Sequence, residues 1–242
     1  MMPLSDDNRG RRSTPVVTWV LIALNVLVFL YELTLGERAL NQFFIDYGII
    51  PREISDGQDL WTLLTSMFLH GGMLHIAGNM LFLWVFGDNV EDVMGHARFL
   101  IFYLLCGIVA GLSQVAIDPD STVATIGASG AISGLLAAYI VCFPHGRVLT
   151  GVFIGFIITT FMVPAWMMIG YWIVLQVISG VISLGPDTSA TDGGVAFFAH
   201  IGGFVAGLIL VWPFRQKDRV EHQRASRAQP DPRARRTRLQ QG

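Results

Sequence analysis

Charge is what this chain has least of. Only 14% of its 242 residues are Asp, Glu, Lys or Arg, against 52% hydrophobic. A soluble domain carries roughly 25% charged residues. The mean hydropathy of +0.54, gathered into long apolar runs, excludes a soluble enzyme with a single anchor. Cysteine is nearly absent too. Cys106 and Cys142 both lie in apolar runs, which excludes a disulfide framework. Neither has a His or acid beside it, which argues against a thiol nucleophile. There is no H-E-x-x-H. His70 and His75 are separated by Gly-Gly-Met-Leu, which supplies no general base, so no metal is expected. No pair of midplane aspartates exists, which excludes an aspartyl mechanism. The lack of an internal repeat and of midplane charge speaks against a small transporter or channel.

What is present is a series of apolar runs of membrane length. A span needs about 20 apolar residues. Six candidates are counted, at roughly 16–35, 74–90, 97–117, 127–143, 164–184 and 197–214. The second and fourth are short and begin at polar residues, which suggests helices that start below the surface. The first run follows basic residues, as a signal peptide would. It is long for an h-region and lacks an A-x-A-like exit, so it reads as retained. Residues 148–163 are ambiguous. They read as an interfacial hairpin or partial insertion rather than a seventh span.

Charge asymmetry decides between six spans and seven. With six, both termini share a side, and that side holds 14 of the 16 Lys and Arg; the other keeps only Arg38 and Arg52. The positive-inside rule then places both termini in the cytoplasm. This divides the chain into a cytoplasmic arm (1–15), a membrane domain (16–214) and a basic tail (215–242). The tail lacks apolar periodicity and reads as a solvated, disordered arm near anionic lipid. The loop 36–73 falls outside, and with Trp61 and several Phe and Leu it reads as partly membrane-embedded. Residues 185–195 form a polar, glycine-containing outer loop.

The polar residues left inside the runs carry the functional signal, because such groups are costly at membrane depth. Ser129 sits in Gly127-Ala128-Ser129-Gly130, and His200 in Ala199-His200-Ile201-Gly202-Gly203. Six spans bring His75, Ser129 and His200 to a similar shallow depth below the outer surface. A serine hydroxyl becomes a nucleophile when a base takes its proton, and His is the usual base. No carboxylate is placed to complete a triad, since Asp88 lies at the inner end of span 2. Glu32, near the outer end of span 1, reads as a brace for the first loop. A Ser129–His200 dyad results. His75 and Asn79, four apart, share a helix face and supply hydrogen-bond donors for an oxyanion, with the Ser129 amide as a third.

Each residue has a plainer reading. A lone serine in a Gly/Ala-rich span is most often packing filler, and small-xxx-small patterns such as Gly130-xxx-Gly134 serve helix interfaces. A lone intramembrane His also fits a structural hydrogen-bonder, a proton relay or a metal ligand. Asn79 alone is more often interhelical glue. The four at matching depth are much harder to explain by chance.

These residues resemble the rhomboid family of intramembrane serine proteases. The resemblance covers about residues 16–214. It rests on His70-Gly71-Gly72-Met73-Leu74-His75-Ile76-Ala77-Gly78-Asn79, on Gly127-Ala128-Ser129-Gly130, and on Ala199-His200-Ile201-Gly202-Gly203 with Gly207. Glu91-xxx-Gly95-xxx-Phe99 also looks like the family pattern. The resemblance implies an all-α polytopic bundle of six transmembrane helices. It implies Ser129 as nucleophile, His200 as general base and acid, and His75, Asn79 and the Ser129 amide as the oxyanion site. His70, Gly127, Gly130 and Gly203 would support the site. The implied partners are transmembrane protein substrates, cut near small residues at the outer boundary of a bilayer, expected to be a bacterial inner membrane. No cofactor and no nucleic acid is expected. A catalytically dead relative that binds transmembrane clients would typically have lost Ser or His, and both are present.

Two positions depart from the pattern. Many members carry an aromatic four residues after the serine, stacking on the catalytic His; here it is Ser133. Some carry Trp-Arg in the first loop; here Trp61 precedes Thr62. Span 5 and the loop before span 6 are the expected lateral gate. Bulky residues such as Trp172 are expected to pack on Phe82 and Trp84 of span 2.

Overall fold

The computed structural model describes residues 2–154, 157–184 and 196–229. Strand β1 (Met2–Asp6) precedes helix α1 (Val16–Glu32). Three short helices follow, α2 (Glu37–Tyr47), α3 (Pro51–Ser55) and α4 (Thr62–Thr65), with a 3-10 turn at Ser66–Phe68. Helices α5 (Met73–Met94), α6 (His96–Ile117) and α7 (Ser129–Cys142) come next. Strands β2 (Arg147–Ile154) and β3 (Ile157–Pro164) lead into α8 (Ala165–Ser183), α9 (Phe197–Phe214) and α10 (Lys217–Ala228).

Three helices, α6, α8 and α9, are long and apolar enough to cross a bilayer. Helix α5, bent by 96° against Thr62–Phe68, makes a fourth. Helices α1 and α7 are apolar but shorter, at 17 and 14 residues. At about 1.5 Å per residue α7 spans about 21 Å, less than a hydrocarbon core of about 30 Å. The chain is therefore an integral membrane protein, with three or four membrane-length apolar helices and two shorter ones among the described residues.

Helix α7 is the centre of the bundle. Every residue from Gly130 to Tyr139 is buried, as expected of a helix that is apolar all round. It is wrapped by α5, α6, α8 and α9. Small residues set its approach to two of them. A Cβ on Gly134 would lie 2.5 Å from Cys106 of α6, and one on Gly207 would meet the Gly134 backbone of α7.

The all-α expectation is corrected. Residues 147–164 are a β-hairpin, and β1 adds to it as a third antiparallel strand in the order β1-β2-β3. The β-branched and aromatic residues Val148, Thr150, Val152, Thr159, Thr160, Phe161 and Val163 suit a pleated surface. Pro3 is tolerated because β1 is an edge strand, and the register shifts between Pro3 and Ser5. The segment forms no seventh helix among the described residues. The N-terminal arm is correspondingly part of the fold.

The solvated-tail expectation is also corrected, for residues 217–228. Helix α10 buries Val220 and Gln223. Gln223 Nε2 donates to Asp92 Oδ2 at 2.7 Å, and Arg224 Nε donates to the Cys142 carbonyl at 2.7 Å. Spacing of basic residues hid this, because polar side chains and not an apolar stripe hold the helix. Residues 230–242 lie outside the described residues.

The segment before α1 and helix α10 meet one end of the bundle. Glu91, fully buried, accepts from the Val17 amide at 2.9 Å and from the Thr18 amide and hydroxyl at 2.7 and 2.6 Å. It thereby caps the start of α1, whose first N–H groups have no intrahelical partner. Asp92 accepts from the Arg12 amide at 3.0 Å and from Ser13. Arg11 pairs with Asp88. Tyr139 donates to Asp6 Oδ2 at 2.7 Å. Burial, with Asp88 nearby, pushes the Asp6 carboxyl up to about 7.

Candidate active site

The site lies at the opposite end of the bundle. Ser129 is the first residue of α7 and His200 the fourth of α9. Gly127 precedes the helix with φ of +122°, a conformation that favours glycine. Its amide donates to the Ser66 carbonyl at 2.8 Å, tying the turn to the first loop. His200 Nε2 and Ser129 Oγ stand 2.7 Å apart. Close backbone approach permits this. A Cβ on Gly203 would strike the Gly130 carbonyl, and one on Gly130 would lie 2.5 Å from Ala110 of α6.

His75 and Asn79 face the same turn from α5. A Cβ on Gly127 would lie 2.7 Å from His75 Nε2 and 3.7 Å from Asn79 Nδ2. The Asn79 Nδ2 is buried with no hydrogen-bond partner among the described residues. A buried donor left unpaired costs about 1–3 kcal/mol, and no acceptor for this one lies among the described residues. His70 stands behind. Its ring centroid is 5.0 Å from that of His75, edge to face, and its amide donates to Glu32 Oε1 at 3.2 Å. Glu32 thus braces the first loop from α1.

Ser133 does not stack on His200; its hydroxyl donates to the Ser129 carbonyl at 2.6 Å. The surface under the imidazole comes from α8. The Trp172 ring centroid is 5.7 Å from that of His200, with planes at 42°. Gln176, one turn further on, places Oε1 2.7 Å from His200 Nδ1. No carboxylate among the described residues bonds His200. Gln176 was missed in the sequence, although a lone amide in the apolar run 164–184 is the kind of signal that marks Asn79.

The expected packing of Trp172 on Trp84 is corrected. Trp84 is 58% exposed and lines a cavity of about 150 Å³ with Trp19, Arg11 and Asp88, on the α1 side. Its position on the far face of α5 turns it away from α8. The loop 185–195, expected as part of the gate, lies outside the described residues. Among the described residues no group of His, Cys, Asp and Glu is arranged to hold a metal ion.

Beside Ser129 lies a recess of about 20 Å³, lined by Met67, Gly107, Ala110, Ile126, Gly127 and Ala199 among others. It is apolar and narrow.

Residues 57–217 match the family model for the rhomboid domain. Rhomboid protease GluP of Bacillus subtilis is 35% identical over 124 residues, 51% of this chain and 24% of that protein. Rhomboid protease AarA of Providencia stuartii is 32% identical over 158 residues, 57% of this chain and 56% of that protein. Mitochondrial Rhomboid protein 1 of Saccharomyces cerevisiae is 28% identical over 221 residues, 88% of this chain and 57% of that protein. The chain thus spans from about a quarter to a little over half the length of these relatives. With the domain match covering most of the helical bundle, the chain belongs to the rhomboid family.

Proposed function

We propose that this protein is an intramembrane serine endopeptidase that hydrolyses peptide bonds of transmembrane proteins. The observation that carries the reading is the 2.7 Å pairing of Ser129 Oγ with His200 Nε2 beside an unpaired Asn79 amide. Ser129 Oγ attacks the scissile carbonyl carbon while its proton passes to His200 Nε2. The negative oxygen is received by Asn79 Nδ2, His75 and the Ser129 backbone N–H. That N–H is among the first of α7, which have no intrahelical acceptor, and the helix dipole there also favours negative charge. The tetrahedral species collapses, the C–N bond breaks, and His200 returns the proton to the leaving amine. Water, activated by the same His, then releases the acyl group and regenerates Ser129.

The recess beside Ser129 supports a preference for small side chains next to the cut bond, since about 20 Å³ holds little more than a methyl group. His70, Gly127, Gly130 and Gly203 support this site by packing. Six membrane crossings, with residues 16–214 as the protease domain, place Ser129 near one membrane face and both termini at the other. The basic residues gathered with the termini support a cytoplasmic location for that face, in a bacterial inner membrane. The substrate would arrive laterally, past α8.

The test is cleavage of a panel of tagged single-span proteins by wild type and Ser129→Ala. Wild type should cleave those with small residues near the outer boundary and take up a fluorophosphonate at Ser129. Ser129→Ala should fold and insert normally and do neither. Labelling at another serine, or full activity in the variant, would overturn the assignment.

A further inference from the structure

Ser129 of α7 meets His200 at Nε2, and the Nδ1 side and the ring face are met from α8. Trp172 and Gln176 are four residues apart on α8, hence on one face, and both meet the imidazole. Ser133, one turn after Ser129 on α7, is committed to the Ser129 carbonyl. We propose that α8 positions the general base: Gln176 Oε1 accepts the Nδ1 proton of His200, and Trp172 fixes the ring plane, so the dyad is complete only while α8 is docked on α9. This deepens the protease reading above and rests on it.

The tautomer argument is specific. A neutral imidazole carries one proton, on Nδ1 or on Nε2. Taking the hydroxyl proton from Ser129 requires Nε2 to be bare. An amide oxygen at 2.7 Å from Nδ1 selects that tautomer. The amide NH2 in the same place would select the opposite one and leave Nε2 unable to accept. Gln176 therefore takes the part that a carboxylate takes in a triad, without placing a charge at membrane depth.

Helix α8 is loosely built into the bundle. Its buried residues are Ala165, Met168 and Ile169 at the start and Gly180 near the end. Between them Tyr171, Val174, Leu175, Val177 and Ile178 are exposed. Near the level of the site it meets α9 through Gly180, where a Cβ would lie 3.3 Å from Phe197 and 3.5 Å from Ile201. A hydrogen bond of 2.7 Å is lost when its partners separate by about 1 Å. Outward motion of the half of α8 beyond Ile169 thus removes the acceptor from Nδ1.

The experiment uses the full-length enzyme in detergent micelles, with two readouts: the fluorophosphonate labelling rate at Ser129, which needs no transmembrane substrate, and kcat and KM for a cleaved single-span protein. Gln176→Met keeps the shape and removes the acceptor; Gln176→Glu keeps the acceptor. We expect Met to slow labelling and kcat by about 10–100-fold with KM and thermal midpoint unchanged, and Glu to stay within about threefold of wild type. A packing role alone predicts the reverse order, with Met near wild type, and that result overturns the proposal. Gly180→Cys with Phe197→Cys gives a second reading that does not depend on the Met variant folding, since a disulfide there would hold α8 docked. Labelling at the wild-type rate when oxidised is expected. Labelling that falls on oxidation and returns on reduction overturns it. Failure of the wild type to label at Ser129 would instead sink the protease reading itself.

Discussion

Gly203 and Gly130 meet backbone to backbone, with the Gly130 carbonyl where a side chain on Gly203 would stand. Gly130 follows Ser129, and Gly203 lies one turn after His200, so this contact bears on the separation of the proposed dyad. Gly203→Ala should push α9 off α7. Overpacking of this kind typically costs about 1–3 kcal/mol. The variant should show a lower thermal midpoint and a loss of fluorophosphonate labelling even in its folded fraction. Gly170→Ala is the control, because nothing lies within 4 Å of its added Cβ. Equal labelling in both variants would mean that the glycine contact does not set the dyad.

The unpaired Asn79 amide predicts a defect confined to turnover. Removing one oxyanion donor costs roughly 10²–10³ in kcat. Asn79→Ala should approach that loss, and less if His75 and the Ser129 amide compensate. His75→Ala should also lower kcat. KM should change little in either, because the donors act on charge that develops during reaction. An unchanged kcat in the double variant would reassign both residues to interhelical packing.

The candidate site residues were legible in the sequence because polarity at membrane depth is rare and each such residue must be accounted for. Ser129, His200, His75 and Asn79 do fall together at one end of the bundle. Gln176 has the same character but lay in a run read as a gate, so its amide was passed over. The hairpin 147–164 was ambiguous because a short apolar run rich in β-branched residues fits both a strand and a partial span. Its third strand, β1, could not be seen, since pairing Met2–Asp6 with Val148–Gly151 is a contact across the whole chain. Helix α10 escaped for a related reason: Asp92, which it holds through Gln223, is remote in sequence.

Glu91 predicts a structural defect at the end away from the site. Its carboxylate caps two amides and one hydroxyl of α1 and also meets His96 Nδ1 at 2.6 Å. Hydrogen bonds to a charged group contribute about 1.5–3 kcal/mol each. Glu91→Ala should lower the thermal midpoint strongly and expose the chain before α1 to limited proteolysis. Glu91→Gln, which keeps an acceptor oxygen, should fall between. Wild-type stability in Glu91→Ala would show that the α1 cap is not needed.

The proposed topology predicts a labelling pattern. Cysteines placed at Asp56 and Asp118 should react with an impermeant reagent in intact cells. Cysteines at His96 and His145 should react only after permeabilisation. The reverse pattern would invert the protein in the membrane and contradict the positive-inside assignment.

Asp6 predicts how stability varies with pH. Burial is the largest cause of its raised pKa, Asp88 adds to it, and Tyr139 and Arg227 act against both, leaving the carboxyl at about 7 against 3.8 unperturbed. The folded state therefore holds a proton that the unfolded chain has released across that interval. Stability falls wherever the folded state binds more protons as pH rises. The contribution of Asp6 should thus decline from about pH 4 to about pH 7 and level off above. Neighbouring Asp7 does not confuse the interval. Burial raises it, but the hydrogen bonds and charge of Arg9 hold it below its usual 3.8, so its own dependence lies at lower pH. Asp6→Asn keeps an oxygen for the Tyr139 hydroxyl and the Asn89 amide, both of which donate to Asp6 at 2.7 Å. The variant should match wild type near pH 4, exceed it in thermal midpoint at pH 8, and show a flatter profile between. Parallel profiles for the two proteins would mean that Asp6 titrates as an ordinary carboxylate and that β1 is not held against the bundle in neutral form.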